Sequence, residues 1–369
     1  MSPPSGLMRQ ALDLARRAHG STSPNPWVGA VVISEGRIAG EGYTRPPGGP
    51  HAEIVALEQA GTGARGGTMY VTLEPCSHHG RTPPCTDALI TAGIRRVVFA
   101  IEDPDPRVSG SGRRQLEAAG IVVEEGDGAE DSARLLEAYI KHRRTQLPFV
   151  IAKYAASLDG RIAAASGDSR WVSGPATLTW THQGRTKLDA IIIGSSTVVL
   201  DDPQLTARPE GVLAERQPLR VVLDSTGRVT PEAKVFSRVA KTLVATTVRS
   251  SSEWRRSIEA VGAEVLVLTE DRDGRVPLGP LLRDLGARDV VTSLVEGGGV
   301  LLGSFFDQQL IDKVTAVIAP MIIGAGDAPA AVVGRGAQVM AQATRLLDVT
   351  VERLGDDILV TGYPDWPRS

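Results

Sequence analysis

Residues 50–101, PHAEIVALEQAGTGARGGTMYVTLEPCSHHGRTPPCTDALITAGIRRVVFAI, alternate helix-like and strand-like patterns. Residues 51–60 read as a helix opened by Pro50 and closed by Gly61. Residues 69–73 make an apolar run of strand length, 86–92 a second helix ended by Gly93, and 97–101 a further strand. Strands separated by helices of this length predict a sheet covered by helices, an α/β layer architecture. His51, Glu53, Cys76 and Cys85 fall at or near the joints between these elements.

The alternation extends in both directions. Upstream, residues 7–19 read as an amphipathic helix with Leu7, Ala11, Leu14, Ala15 and Ala18 on one face. Residues 28–33 and 38–42 pair as a hairpin about Glu35-Gly36, after the turn-forming Ser23-Pro24-Asn25-Pro26. Downstream, a helix over 112–119, a strand over 121–124 and a basic helix over 131–144 lead to Leu147-Pro148. There the pattern restarts with a strand over 149–155, so we place one domain at 1–146 and a second at 147–369. The second holds strand candidates at 190–193, 220–223, 243–246, 265–268, 290–295 and 314–318. Residues 349–353 and 358–363 flank Gly355-Asp356-Asp357 as a closing hairpin.

Composition narrows the function. At about 150 residues per domain, 369 residues suggest two or three domains. Hydrophobic residues at 42% and charged residues at 22% disfavour long disorder and collagen-like repeats. Forty Lys and Arg against 43 Asp and Glu leave a net charge of −3, with no general pull toward nucleic acid or an anionic membrane. No apolar run approaches the roughly 20 residues needed to span a bilayer, and arginines interrupt the first helix as no signal peptide would. The expected location is the cytoplasm, where a lone pair of cysteines tends toward metal binding or catalysis.

His51, Cys76 and Cys85 supply three soft or borderline donors suited to Zn²⁺, leaving the fourth tetrahedral position for water, as in a catalytic site. His78 and His79 are either loop residues or a fourth ligand that would make the zinc structural. A non-ligand carboxylate such as Glu53 can carry protons between water and a leaving amine. These are the parts needed for hydrolytic deamination of an amino-substituted heterocycle. The spacing approaches the zinc-deaminase signature H-x-E followed by P-C-x-x-C, with eight residues between the cysteines in place of two.

Pro24-Asn25-Pro26-Trp27-Val28-Gly29, His51-Ala52-Glu53 and the run from Glu74 through Ser77-His78-His79-Gly80-Arg81 to Cys85 resemble the bifunctional deaminase-reductase family of riboflavin biosynthesis. The resemblance implies a cytidine-deaminase-like three-layer α/β/α domain with one zinc per chain on His51, Cys76 and Cys85. Glu53 would be the catalytic proton shuttle. The implied substrate is a phosphorylated pyrimidine, a diaminopyrimidinone with a ribosylamino 5′-phosphate, which loses ammonia. Asn25 either holds the pyrimidine edge or simply forms the turn between two prolines. His78, His79 and Arg81 are further candidate substrate contacts.

In the second half, Val295 to Gly303 join a strand to a helix through Gly297-Gly298-Gly299, where backbone N–H groups can approach a phosphate. Lys153 to Gly160, with Ser157-Leu158-Asp159-Gly160, together with Ser169-Arg170-Trp171-Val172-Ser173 and the run Thr197 to Arg208, are similar to the reductase half of the same family. The resemblance implies a dihydrofolate-reductase-like α/β fold and hydride transfer from NADPH that opens the ribosyl group to ribityl. It places cofactor contacts at Ala155, Trp171, Thr197, Asp201, Ser225 and Gly298, and substrate contacts at Ser169, Arg185, Leu205, Arg208 and Glu296. Guanidinium groups at Arg185 and Arg208 suit bidentate phosphate binding. Asp201 takes part in proton transfer, orients a sugar hydroxyl, or only initiates a turn. Met321 and Gly299 stand where the family often has lysine and proline. The family implies a homodimer through the reductase half, and no nucleic-acid or membrane partner. The rival reading is a zinc deaminase whose second domain binds a nucleotide without turning it over.

Overall fold

The computed structural model describes residues 3–78, 83–106 and 108–366. The chain divides into two compact units, Met1–Leu147 and Pro148–Ser369.

The first unit runs α1 (Gly6–Ala18), β1 (Gly29–Ser34), β2 (Arg37–Tyr43), α2 (Ala52–Ala60), β3 (Thr68–Val71), α3 (Cys85–Ala92), β4 (Arg96–Phe99), α4 (Ser111–Ala118), β5 (Val122–Glu125), α5 (Ala129–Leu135) and α6 (Glu137–Thr145). Its five-stranded sheet has the order β2-β1-β3-β4-β5; β1 is antiparallel to both neighbours, and β3, β4 and β5 are parallel. Successive strand residues point to opposite faces. Ala30, Val32, Val97 and Phe99 therefore enter one core with Ala52, Ala56 and Leu89 of α2 and α3, while Val31 and Val98 enter another with Met8, Ala11 and Leu12 of α1. The result is three layers. The predicted helix over 131–144 breaks at Leu136, because Leu135 packs into the α1 core and Leu136 into the opposite one.

Helix α2, which leads from His51, lies directly on β2. A Cβ on Gly40 would stand 2.1 Å from the Ala56 carbonyl oxygen, and one on Gly42 would stand 2.2 Å from that of Ala52. Only hydrogen at these two alternate positions lets helix and strand approach so closely.

The second unit runs β6 (Phe149–Ser157), α7 (Pro175–Arg185), β7 (Ala190–Gly194), α8 (Ser195–Asp201), β8 (Leu219–Leu223), β9 (Thr242–Thr247), α9 (Ser252–Ala260), β10 (Glu264–Leu268), α10 (Leu278–Ala287), β11 (Thr292–Glu296), α11 (Gly299–Asp307), β12 (Lys313–Ala319), β13 (Arg345–Leu354) and β14 (Asp357–Asp365). The nine-stranded sheet has the order β10-β9-β8-β7-β11-β6-β12-β14-β13. It is parallel from β10 to β12 and closes with the antiparallel hairpin β13–β14. Ile191, Ile193, Val222 and Val244 fill a core on one face, and the carboxyl ends of the parallel strands form a crevice of the kind that binds ligands in open α/β sheets. No described helix is long and apolar enough to cross a membrane.

Candidate active sites

His51 occupies the N-cap of α2 with an extended backbone, and Cys85 is the first residue of α3. Cys76 follows β3 in the segment Glu74-Pro75-Cys76. Two helix starts and one strand exit thus deliver three donors to one place. His51 Nδ1 lies 3.6 Å from Cys76 Sγ and 3.3 Å from Cys85 Sγ, and the three ligand atoms lie within 4.8 Å of one another. Zinc–sulfur bonds of about 2.3 Å and zinc–nitrogen bonds of about 2.0 Å give tetrahedral edges near 3.5 Å, so the donor set fits that ion.

The electrostatics match the donor chemistry. The Cys85 thiol, donating to Cys76, holds the Cys76 thiol down to about 4, with His51 assisting. The same bond, together with burial, pushes the Cys85 thiol up. The bond to Cys76 raises His51 to about 9 despite burial. Glu53, in the first turn of α2, is only 4% exposed, and burial lifts its carboxyl above the usual range although His51 pulls it down. Asn25 sits in the turn before β1, where its N–H donates to Thr22 O at 2.8 Å and its carbonyl accepts from Thr22 Oγ1 at 3.1 Å. His79 and Arg81 lie outside the described residues.

In the second unit, Thr197, Ser225 and Gly298 line one cavity of about 330 Å³ at the ends of β7 and β8 and the start of α11. Thr197 Oγ1 accepts the Gly298 N–H at 3.2 Å. Buried Asp224 shapes the adjoining turn by accepting the N–H groups of Gly227, Arg228 and Val229 at 3.1, 2.6 and 2.8 Å. Arg228 and Arg275 also line the cavity; they donate to Ser196 Oγ and Ser304 Oγ at 3.2 and 3.4 Å. A guanidinium has five N–H donors, so each retains capacity for an anion.

A second group gathers at the end of β11. Glu296 Oε2 pairs with Arg185 at 2.8 Å and Oε1 with Lys153 at 3.0 Å. Burial pushes the Glu296 carboxyl up, but the two cations more than offset it and hold it at about 2. Thr206 O accepts from Arg185 at 3.1 Å and lies 3.1 Å from His182 Nδ1. Burial, then Arg185 and Arg208, lower the His182 imidazole. Leu205 is buried with φ of 51°, an uncommon conformation for a non-glycine residue. Ser169 Oγ donates to Asp201 at 3.0 Å, and Arg208 donates to Gln204 Oε1 at 3.0 Å.

Ala155, Trp171 and Asp201 are not among the cavity's lining residues; Ala155 pairs with Val317 in the sheet, and Trp171 is 69% exposed. From the sequence Lys153 is placed only at the start of a family-like run, and His182, Arg228 and Arg275 are not singled out. Lys153 did carry a signal, as a lone cation inside an otherwise apolar strand.

The first unit has the architecture and donor set of a zinc-dependent deaminase, and the second is an α/β unit with a polar cavity at its strand ends. Residues 1–101 match the cytidine and deoxycytidylate deaminase zinc-binding region, and residues 148–360 match the RibD C-terminal domain. The riboflavin biosynthesis protein RibD of Escherichia coli is 39% identical over 95% of this chain and 96% of its own. Among solved structures, Acinetobacter baumannii RibD superposes with a TM-score of 0.87 at 37% identity, covering 97% of this chain and 98% of that one. A diaminohydroxyphosphoribosylaminopyrimidine deaminase/5-amino-6-(5-phosphoribosylamino)uracil reductase from Thermotoga maritima gives 0.82 at 36% identity, covering 97% of each chain. The chain belongs to the RibD family.

Proposed function

We propose that the chain carries out two consecutive steps of riboflavin biosynthesis. The first is hydrolytic deamination of 2,5-diamino-6-ribosylamino-4(3H)-pyrimidinone 5′-phosphate. The second is NADPH-dependent reduction of the ribosyl group of the resulting aminouracil to ribityl. The observation that carries the reading is the His51, Cys76 and Cys85 cluster with buried Glu53 beside it, in a chain that also holds the reductase unit. His51 Nδ1 and the Cys76 and Cys85 sulfurs would hold a zinc ion, which when bound would supply Lewis acidity. Glu53 takes a proton from the attacking water and passes it to the ring nitrogen, then carries that water's second proton to the leaving amine, so that ammonia departs as the carbonyl forms. Asn25 offers a donor and an acceptor to the pyrimidine edge.

In the second unit the cofactor supplies the hydride. Thr197, Ser225 and Gly298 hold it in the cavity, with Ala155, Trp171 and Asp201 as further contacts. Arg228 and Arg275 favour the form with the additional phosphate, because two guanidinium groups that line the cavity beside a single carboxylate, Asp271, suit a dianion. Arg185 and Arg208 hold the substrate phosphate, with Ser169, Leu205 and Glu296 shaping the remainder of the site. The test is to incubate the zinc-loaded chain with the diaminopyrimidine and follow ammonia, then add NADPH and follow nicotinamide absorbance. Both signals are expected, and chelation is expected to remove only the first. Ammonia release without NADPH consumption would instead make the second unit a nucleotide-binding module.

The protein works in the cytoplasm, where its two free thiols stay reduced. It assembles as a homodimer through the second unit. The edge strand β13 presents Leu347, Val349 and Val351 to solvent, with Val351 66% exposed, and such an edge invites pairing with another chain. Light scattering is expected to give twice the chain mass, and Val351→Lys to give a monomer; a monomeric wild-type chain at micromolar concentration would refute the dimer.

A further inference from the structure

Eight residues separate the two cysteine ligands, so the covalent spacer constrains the two thiols far less than two residues would. In the structure both sides of that spacer are tied to the same helix, α4. On the Cys76 side, buried Glu74 accepts the N–H of Gly110 at 2.9 Å, of Arg113 at 3.0 Å and of Asp103 at 3.2 Å, which caps the start of α4. A Cβ on Gly112 would stand 2.1 Å from the Pro75 carbonyl oxygen, so helix and ligand segment are in direct backbone contact. Ser77 Oγ and Ser111 Oγ are 2.7 Å apart.

On the Cys85 side, Gln115 of α4 reaches the first turn of α3. Its Nε2 donates to Asp87 Oδ1 at 2.7 Å, and its Oε1 accepts from Thr86 Oγ1 at 2.8 Å. The Thr86 hydroxyl has one proton, and Gln115 Oε1 is a nearer acceptor than Cys76 O, which is 3.3 Å away. The two sides then meet: Thr86 N–H donates to Cys76 O at 3.1 Å, and Cys85 N–H to Cys76 Sγ at 3.4 Å. Thr86 is fully buried, so these bonds are shielded from water.

We propose that α4 sets the spacing of the two thiols, with Gln115 the positioning residue for Cys85 and Glu74 the positioning residue for Cys76. Neither touches the metal position; Glu74 acts through the backbone N–H groups it accepts, and Gln115 through the Thr86 and Asp87 side chains that follow Cys85. The proposal rests on the zinc reading of the cluster, and the experiment separates the two.

Zinc affinity of the full chain is measured by competition with a chromogenic chelator, and the thiolate-to-metal absorption is recorded after loading with Co²⁺. Gln115→Met keeps the side-chain length and removes both bonds, while Thr86→Val keeps the volume and removes the hydroxyl. Each is expected to weaken zinc binding by about 10- to 100-fold, the usual effect of losing a partner that orients ligands, and to shift the Co²⁺ bands. Thr86→Ser is expected to restore both readouts, and NADPH oxidation on the deaminated substrate is expected to stay at the wild-type rate in all three variants. Zinc affinity within twofold of wild type together with unshifted Co²⁺ bands in Gln115→Met and Thr86→Val would overturn the proposal. A wild-type chain that binds no zinc would remove the reading beneath it as well.

Discussion

Glu53→Gln is expected to lower ammonia release by a factor of about 10² to 10⁴, the usual contribution of a positioned general acid–base group. The substitution keeps the side-chain volume in a place that is 4% exposed and removes the ability to exchange a proton. Burial lifts this carboxyl, which brings it toward neutrality, where a group can both accept and return a proton. Because His51, Cys76 and Cys85 form the donor cluster without it, zinc stoichiometry is expected to remain at one per chain. Reduction of the deaminated pyrimidine is expected to proceed at the wild-type rate. Ammonia release within tenfold of wild type would refute the proton-shuttle role; loss of zinc would make Glu53 a ligand instead.

The second large effect is expected at Glu296. Its single carboxylate pairs with both Lys153 and Arg185, whose side chains are each 12% exposed. Glu296→Gln leaves two largely buried cations without that partner, and breaking such a pair costs about 3–5 kcal/mol. The same ion pairs set a pH dependence. A carboxyl held at about 2 when folded and near 4.5 when unfolded contributes about 3 kcal/mol above the unfolded value. That contribution is lost as pH falls through the folded value, so it erodes between about pH 4.5 and 2. Tryptophan fluorescence reports mainly the second unit, which holds Trp171, Trp180, Trp254 and Trp366. Denaturant unfolding followed by this signal is expected to show the destabilisation at neutral pH and its shrinkage toward pH 2. Equal stability of Glu296→Gln and wild type at pH 7 would show that the network contributes nothing net.

The first site was legible because its chemistry lies in short runs. His51 and Glu53 are two residues apart, and Pro75-Cys76 and Pro84-Cys85 mark strand exit and helix start in their own local sequence. Glu74 and Gln115 gave no comparable signal. Glu74 stands beside a ligand but bonds to backbone 29 to 39 residues away, and Gln115 bonds to residues 28 and 29 positions away. The second site was less legible for the same reason. Glu296 could be placed at a strand end, yet its partners Lys153 and Arg185 are 143 and 111 residues distant. Arg228 and Arg275 carry no local signal, because it is the sheet order that brings the turns after β8 and β10 to one cavity.

By itself the sequence determined the alternation of strand and helix, the restart near Pro148 and the donor set for zinc. Each of these is written in the spacing of neighbouring residues, where helical period, strand period and turn chemistry act. Only the tertiary structure decided that α4 grips both sides of the long inter-cysteine spacer, that two cations face one glutamate, and that β13 forms an exposed edge. Those outcomes depend on which strands pair and which helices pack, and burial then gives weight to charges and hydrogen bonds that would count for little in water.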